Sequence, residues 1–443
     1  YKITLHKRIS KHLQGRSGFT KKRLGTNQFI MFSENLISTL SNPYVIAGFA
    51  IVLAYWASSR LQPVIILLSQ EKNLMDEPEE RSSHSYRVPT YGGAAIFIVV
   101  SVLVMSLISL IGFAEREISD ILAVMAGIFI LFFLGIKDDM IGLDPTKKFI
   151  GQLLATFIVV VLADVRIESL EGIFGVGQLP YWISVIFTFF VYLLVINAYN
   201  LIEGIDGLAG SVALIASLVF GTFFLITDNL ALGIISFVLS GALGGFLKFN
   251  LSETKKIFMG DSGSLFIGFL LAFQAVSFLK INALAEPEPI LSNAPVIVLT
   301  ILAFPLLDTL RVFFLRAING RSPFSPDRNH LHHRLLDLGL SHSHATLLIV
   351  LKTVLLIAVC WKMQDIPIHL HLICMLVMGF ALFLGPLILR KNKFSAQVNP
   401  IYEKKEDEAN SKPQHPQPNA VVRPPYQAQK RNKSIPETTA TRD

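Results

Sequence analysis

Apolar runs long enough to cross a lipid bilayer as helices follow one another along this chain, and eleven of them can be counted. Because the bilayer core offers no water to unpaired backbone groups, runs of this length predict an all-α integral membrane protein. They lie at 43–69, 91–112, 119–136, 149–164, 181–197, 208–226, 229–247, 264–280, 294–315, 344–362 and 367–389. The composition agrees, since 52% of the 443 residues are hydrophobic and only 16% are charged. An ordinary soluble protein is excluded.

Two stretches outside these runs are polar. Residues 1–42 are basic and show no helical period, and the chain beyond residue 390 is rich in Pro, Gln, Asn and Lys. The latter stretch has too few apolar side chains to fold alone. The sequence therefore predicts a basic N-terminal segment (1–42), a polytopic catalytic domain (43–390) and a disordered cytoplasmic tail (391–443).

The loops between the runs alternate in charge. One set is rich in Lys and Arg, and the other set has few basic residues, which are Arg116, Arg166, Lys280 and Lys362. By the positive-inside rule the first set faces the cytoplasm, so we expect the N-terminus outside and the C-terminus inside. The basic residues of 1–42 oppose this placement, and the cumulative pattern of the loops outweighs them. The same rule accounts for most of the net charge of +7 without a nucleic-acid partner.

A polar stretch at 196–210 separates two apolar runs and contains Asn197, Asn200, Glu203 and Asp206. Ionisable groups at membrane depth are functional by default, so this density of polar side chains predicts a ligand site. The structural alternative is that the two asparagines hydrogen-bond to neighbouring helices while the glycines allow close packing.

Carboxylates mark the ends of two other runs. Asp138 and Asp139 follow the third run, and Asp261 lies between two glycines before the eighth. Adjacent carboxylates at a membrane boundary repel each other unless a cation or hydrogen-bond donors compensate. Asp261 or Ser262 could serve only as a helix N-cap, and the pair could be solvated. Glycine-bounded backbone can also approach a phosphate, to which Asp261 would bring a hard cation.

Histidines and arginines are concentrated in the longest cytoplasmic loop. They are Arg328, His330, His332, His333 and Arg334. Such donors suit phosphate groups. Zinc is disfavoured, because no cysteine or carboxylate follows at a familiar ligand spacing. Cys360 and Cys374 both lie in apolar runs, so neither a disulfide framework nor a Cys-based metal site is expected. Together the polar stretches indicate phosphoryl transfer at the cytoplasmic face.

In their order along the chain, these motifs resemble those of the polyprenyl-phosphate N-acetylhexosamine-1-phosphate transferases. The resemblance includes the first cytoplasmic loop, where Arg81-Ser82-Ser83-His84 leads to Pro89 and Gly92-Gly93, and it extends from about residue 70 to 340. The bacterial branch that makes undecaprenyl-diphosphate-N-acetylglucosamine for O-antigen, enterobacterial common antigen or teichoic acid is the most similar. This branch usually carries Asp at the position of Glu203.

The resemblance implies a reaction of UDP-N-acetylglucosamine with undecaprenyl phosphate that releases UMP. It implies dependence on Mg²⁺, with Mn²⁺ as a substitute, and an active site on the cytoplasmic face of the bacterial inner (plasma) membrane. The bilayer is then a partner, and a homodimer is allowed.

The resemblance also implies roles for individual residues. Asp261 and Asp138 would be metal ligands, with Asn200 as a further metal or diphosphate ligand. Asp139 would orient the lipid phosphate or assist its deprotonation. The resemblance does not decide which of Asp138 and Asp139 has which role. The other expected contacts are with substrate: Phe258 on uracil; Asn250, Asp206 and Lys148 on the nucleoside; His330, His332, His333 and Arg328 on diphosphate and sugar; and His84, Asn197 and Glu203 elsewhere in the site.

Two alternatives stay open. The peptidoglycan branch uses UDP-N-acetylmuramoyl-pentapeptide and typically carries three consecutive histidines, unlike the pattern that begins at His330. A transporter would also have many helices with polar breaks, but its substrate groups would lie near the bilayer midplane rather than at helix ends on one side. A scaffolding protein would leave the clustered carboxylates unexplained.

Overall fold

The computed structural model describes residues 42–72, 74–76, 87–285, 290–320 and 330–389. Within these ranges ten helices are long and apolar enough to cross a membrane, and a bent helix pair forms an eleventh span. The predicted all-α, multi-pass architecture is thereby confirmed. The predictions for the two terminal segments, His84 and Arg328 lie outside the described residues.

The elements agree with the apolar runs and extend several of them into the polar stretches. The helices are α1 (Pro43–Glu71), α2 (Gly92–Ile111), α3 (Glu115–Ile141), α4 (Pro145–Phe157, followed by a π-helical turn at Ile158–Leu162), α5 (Tyr181–Leu201), α6 (Leu208–Ile226), α7 (Leu230–Asn250), α8 (Asp261–Ala283), α9 (Ala294–Ile301), α10 (Ala303–Ile318), α11 (Leu331–Asp337), α12 (His342–Lys362) and α13 (Ile368–Leu389). Two short strands, β1 (Met75–Asp76) and β2 (Val88–Pro89), pair antiparallel.

Local sequence fixes where several helices begin. Asn42 caps α1 by accepting the Tyr44 N–H at 2.9 Å, and Asp144 caps α4 by accepting the Thr146 N–H at 2.9 Å. Each cap is followed by a proline at the first helical position, where its missing N–H costs nothing. Ser341 caps α12 by accepting the His344 N–H at 3.4 Å.

The centre of the bundle is α8, whose side chains are buried along almost its whole length. It packs against α2, α3, α5 and α6, while α7 packs against α1, α2 and α6. Large aromatic side chains fill this core, among them Phe266, Phe269 and Phe273. A helix surrounded by others presents its N-terminus to several loops at once, which is how the site below is assembled.

The ninth span is broken. α9 and α10 meet at a bend of 75°, and Pro305 lies in the first turn of α10. Pro305 lacks the N–H that would continue the hydrogen-bond ladder of α9, whereas the first turn of a helix tolerates a proline. The break therefore falls just before the turn that contains Pro305. The consequence is that α10 leaves the direction of α9 while carrying Asp308 into a buried position.

Backbone hydrogen bonds join the paired strands β1 and β2 and the start of α2 to the segment before α8. Phe258 N donates to Pro89 O at 2.8 Å, and Gly92 N and Gly93 N donate to Phe258 O and Met259 O at 2.8 and 2.9 Å. The first cytoplasmic loop predicted from sequence is therefore in direct contact with the Asp261 segment. The helices alone do not set which terminus lies on which side, and that orientation stays a prediction.

Candidate active site

One end of the bundle encloses a cavity of about 650 Å³. Four separate sequence stretches meet there, because α3 and α5 end at it, α7 ends beside it and α8 begins at it. The lining residues are Leu74, Met75, Thr90, Tyr91, Asp139, Met140, Glu203, Gly204, Ile205, Asp206, Ala209, Gly210, Phe246, Asn250, Phe258, Met259, Gly260, Asp261 and His333. Seven of the predicted site residues therefore share one concave surface, and they are Asp139, Glu203, Asp206, Asn250, Phe258, Asp261 and His333.

Lys148 links two of the predicted metal carboxylates. Its Nζ lies 2.8 Å from Asp138 Oδ2 and 3.2 Å from Asp261 Oδ1. Asp138 Oδ1 also accepts the Leu143 N–H at 2.7 Å. Its ammonium therefore bridges the two carboxylates, and a contact of Lys148 with the nucleoside stays a prediction.

Asp139 caps the N-terminus of α8. Its Oδ1 accepts the Asp261 N–H at 2.8 Å, and its Oδ2 accepts the Ser262 N–H at 3.0 Å. These are amides that a helix start leaves unpaired, and a carboxylate there also meets the positive end of the helix dipole. The structure therefore distinguishes the two adjacent carboxylates, since Asp138 pairs with an ammonium and Asp139 pairs with backbone.

The polar stretch after α5 reaches the same helix start. Asn200 Nδ2 donates to Asp261 Oδ1 and, at 2.7 Å, to Ser264 Oγ. Glu203 Oε1 accepts the Gly260 N–H at 2.6 Å. Burial, together with the nearby negative charges of Asp261 and Asp139, raises the pKa of Glu203 to about 8. The raised pKa reflects burial first and the nearby carboxylates second.

Asn197 lies one turn away from the cavity. It forms a reciprocal amide pair with Gln152, in which Asn197 Nδ2 donates to Gln152 Oε1 at 2.9 Å and Gln152 Nε2 donates to Asn197 Oδ1 at 3.2 Å. This is the interhelical hydrogen bond that the structural alternative expected, here joining α4 and α5. A substrate contact for Asn197 stays a prediction.

Asp206 joins three segments at the cavity wall. Its Oδ2 lies 2.5 Å from Lys256 Nζ and 3.0 Å from His342 Nδ1, and its backbone oxygen accepts from Thr346 Oγ1 at 2.7 Å. Burial opposes ionisation of this carboxyl, but the hydrogen bonds and charges of His342 and Lys256 outweigh it and lower its pKa. Its Oδ1 is buried and has no hydrogen-bond partner among the described residues, which leaves an acceptor at the wall.

Asn250 and Phe258 complete the wall opposite α8. Asn250 Oδ1 accepts the Gly207 N–H at 2.6 Å and its Nδ2 donates to Ile257 O at 2.7 Å, so the amide ties two loops together. Phe258 lines the cavity, and Lys256 Nζ lies 5.7 Å from the centroid of its ring. A flat aromatic face beside a cation is suited to stacking on a planar base.

The three histidines occupy different positions. His330 Nδ1 lies 2.9 Å from Asp308 Oδ2, His333 lines the cavity, and His332 is buried with 1% of its surface exposed. The His332 ring lies against Gly204, where any Cβ would overlap Nε2. Burial, together with the neighbouring His333, lowers the pKa of His332 to about 3, so this imidazole is neutral.

Four residues near the site were not anticipated from sequence. Tyr91 lines the cavity, Lys256 and His342 hold Asp206, and Asp308 holds His330. Only Asp308 had a usable signal, as the sole carboxylate in the apolar run 294–315. The others stand in ordinary loop or helix-start contexts.

A divalent cation fits the charge of this site. Lys148 contacts Asp138 and Asp261, while Asp139 and Glu203 accept backbone amides at the start of the same helix, so carboxyl groups here outnumber the Lys148 ammonium. Carboxylate and amide oxygens are the ligands that Mg²⁺ prefers. Among the described residues no group of three or more His, Cys, Asp or Glu side chains is already arranged to hold a metal. Cys360 and Cys374 are both free thiols.

Comparison with known proteins gives consistent results. Residues 121–279 match the family described as glycosyl transferase family 4, a span that includes Asp138, Lys148, Asp206 and Asp261. The chain is 36% identical over 292 residues to the decaprenyl-phosphate N-acetylglucosaminephosphotransferase of Mycolicibacterium smegmatis, covering 62% of this chain and 71% of that protein.

Two further relatives come from other bacteria. The chain is 31% identical over 298 residues to the probable undecaprenyl-phosphate N-acetylglucosaminyl 1-phosphate transferase of Bacillus subtilis. It is 28% identical over 300 residues to the undecaprenyl-phosphate alpha-N-acetylglucosaminyl 1-phosphate transferase of Escherichia coli. Each match covers 66% of this chain and 77% of the relative.

Proposed function

Because the chain belongs to glycosyl transferase family 4, we propose that it transfers N-acetylglucosamine 1-phosphate from UDP-N-acetylglucosamine to undecaprenyl phosphate. The protein is a membrane-bound phosphotransferase, and its relatives act on polyprenyl phosphates. The observation that carries the proposal is the contact of Lys148 with Asp138 and Asp261, because Asp261 lines a cavity that also presents Phe258 and His333.

The reaction forms one bond and breaks one bond. An oxygen of the lipid phosphate attacks the sugar-bearing phosphorus, and the bond from that phosphorus to the bridging oxygen breaks, so UMP leaves with the bridging oxygen. The second pKa of a phosphomonoester is near 6, so the attacking oxygen is already largely ionised at neutral pH. A strong general base is therefore unnecessary.

The main barrier is the approach of two anions. A pair of like unit charges about 4 Å apart costs about 1 kcal/mol in water and about 4 kcal/mol at an effective dielectric near 20. Lys148 and His333 would supply positive charge and donors around the diphosphate. Asp138, Asp261 and Asn200 would hold Mg²⁺, which when bound neutralises phosphate charge.

The remaining residues bind and position the substrates. Phe258 would stack on uracil, and the unpaired Oδ1 of Asp206 is an acceptor for an imide or hydroxyl donor of the nucleoside. Asp139 holds the start of α8, so that Asp261 keeps its position when the lipid phosphate arrives. Fixing such groups before reaction lowers the reorganisation that the transition state requires.

The proposed setting is the cytoplasmic face of a bacterial plasma membrane, where the product would start a lipid-linked envelope glycan such as O-antigen or teichoic acid. All cavity loops lie at one end of the bundle, as expected for chemistry on a lipid at one membrane surface. A transporter site would instead lie near the midplane.

The test is a matrix of substrates with the purified protein. Undecaprenyl and decaprenyl phosphate are each supplied with Mg²⁺ and with UDP-N-acetylglucosamine, UDP-N-acetylgalactosamine or UDP-N-acetylmuramoyl-pentapeptide, and UMP is measured. We expect UMP from UDP-N-acetylglucosamine with undecaprenyl phosphate at the highest rate. Release only with the muramoyl-pentapeptide nucleotide would overturn the proposed donor, and a clear preference for decaprenyl phosphate would overturn the proposed acceptor.

A further inference from the structure

A buried carboxylate outside the cavity contacts the segment that contains His330, His332 and His333. Asp308 Oδ1 accepts the Leu331 N–H at 2.7 Å, and its Oδ2 lies 2.9 Å from His330 Nδ1. The Asp308 side chain is 0% exposed and that of His330 only 6%. Both carboxylate oxygens are therefore committed to the first residues of α11, although Asp308 itself belongs to α10.

Such a carboxylate is costly unless it is paired. Removing a charged group from water is offset only when hydrogen bonds and an opposite charge or dipole surround it. Asp308 receives a helix-start N–H from Leu331 and the ring nitrogen of His330, and Arg311 Nη1 lies 4.0 Å from its Oδ1. The contact also fixes the His330 ring, because a carboxylate at Nδ1 retains the proton there and leaves Nε2 facing away.

The position of α11 decides where the other two histidines lie. His330 and Leu331 begin this helix, His332 follows with its ring against Gly204, and His333 reaches the cavity. A helix of only seven residues has little stability of its own and needs an anchor at its start. Asp308 supplies that anchor from a neighbouring span.

We propose that Asp308 is a positioning residue for the transferase: acting through His330 and the Leu331 amide, it holds α11 so that His333 faces the cavity. The expected effect on kcat rests on the proposed function, whereas the expected effect on the position of α11 does not. Phe258 and Asn250, the proposed nucleoside contacts, line the cavity, whereas Asp308 and His330 do not. Because those nucleoside contacts remain, the loss falls more on turnover than on KM, although His333 would also donate to the diphosphate.

Asp308→Asn is the sharpest variant, because the amide can still accept the Leu331 N–H but no longer carries the charge that holds His330. We expect kcat for UMP release to fall about 10-fold or more, while KM for UDP-N-acetylglucosamine changes less than about threefold. Asp337→Asn, an exposed carboxylate on the same helix, is the control and should keep the parental kcat. Parental kcat in Asp308→Asn would overturn the proposal.

A double variant separates this role from a general loss of stability. In a His330→Gln background, adding Asp308→Asn should reduce kcat by less than about twofold, since residues that act as one unit are not additive. Full additivity of the two losses would contradict action through His330. The His330→Gln variant alone keeps the buried carboxylate and should lose as much kcat as Asp308→Asn.

Hydrogen exchange gives a readout that needs no substrate. In Asp308→Ala the amides of 331–337 should exchange at least about 10-fold faster than in the parent, whereas Asp308→Asn, which keeps the Leu331 contact and loses the hold on His330, should show a smaller increase. Unchanged exchange in Asp308→Ala overturns the positioning role whatever the activity. If the parent releases no UMP but exchange responds as expected, the proposed function fails and the anchor stands.

Discussion

The ammonium of Lys148 contacts the same two carboxylates that a divalent cation would need. Lys148 Nζ lies within 3.2 Å of both Asp138 and Asp261. Lys148 is their counter-ion, and we propose that a divalent cation on the same carboxylates would displace it. Lysine is suited to such a role because its charge sits on a flexible stem.

Lys148→Met should therefore destabilise the metal-free protein. We expect a loss of about 2 kcal/mol, less than the 3–5 kcal/mol of a fully buried pair because these groups are partly exposed. Thermal unfolding in detergent with EDTA measures it. Adding Mg²⁺ should restore more stability in this variant than in the parent.

Lys147→Met is the matched control, since Lys147 is the exposed neighbour of Lys148. It should leave both the unfolding temperature and its Mg²⁺ dependence unchanged. An identical response to Mg²⁺ in the parent and in Lys148→Met would contradict competition between this ammonium and the cation.

His332 predicts a pH dependence of stability. Its pKa is about 3 in the folded protein, and that of an unfolded histidine is about 6.5. Between these values the unfolded state binds the proton more tightly, so unfolding free energy is retained above pH 6.5 and lost as the pH falls, by up to about 1.4 kcal/mol per pH unit.

Thermal unfolding of His332→Asn between pH 7.5 and pH 5, in EDTA, checks this. The variant should show a flatter slope below pH 6.5 than the parent. His344→Asn, which alters an exposed histidine on α12, should keep the parental slope. An unchanged slope in His332→Asn would mean that another group titrates.

At the scale of elements, the crossing of α2 and α8 depends on two glycines. A Cβ at Gly93 would collide with the Gly263 backbone and come within 2.8 Å of Met259 O. Backbone cannot yield as a flexible side chain does, so the helix starts would have to separate. That separation would also break the backbone hydrogen bonds that place Phe258.

Gly93→Ala should therefore lower stability by about 1–3 kcal/mol and reduce UMP release, as judged by thermal unfolding and by the standard assay. Gly48→Ala makes the same change in α1 where nothing lies within 4 Å, and it should be neutral or slightly stabilising. Equal behaviour of the two variants would show that the crossing is not tight.

The elements themselves were largely predictable. Within the described part of the chain, ten of the eleven apolar runs are single helices and one is a bent helix pair, because hydropathy dictates helices in a bilayer. The 75° break before Ala303 was not predicted, since 294–315 reads as one run, although Pro305 marks it in retrospect. Helix ends also differed, because Asp138, Asp139 and Asp261 fall inside helices rather than in the loops.

The pairing within the site was not predictable from one sequence. That Asp138 and Asp261 converge could be expected from the family resemblance, but that Lys148 bridges them depends on how α3, α4 and α8 pack. Asp139 as the cap of α8 and Asp308 as the anchor of α11 are contacts between residues far apart in the chain. Side-chain type alone does not choose between such partners.

At the scale of the whole molecule, the proposed transfer at one membrane surface requires all cavity loops to face the same side of the membrane. α5 is 21 residues long, so about 30 Å separate its end at the site from the loop before it. In a Cys360→Ser, Cys374→Ser background, Lys255→Cys should react with an impermeant thiol reagent only in inside-out vesicles, and Gln178→Cys only in right-side-out vesicles. Labelling of both from one side would contradict the arrangement.

The central claim is that a sugar phosphate, not a sugar, is transferred. The most direct measurement uses UDP-N-acetylglucosamine carrying ³²P in the sugar-bearing phosphate, with undecaprenyl phosphate, Mg²⁺ and the purified protein, and with Asp261→Asn as the inactive control. We expect the label to enter the lipid in an amount equal to the UMP released. Label that stays in the nucleotide as UDP would contradict it.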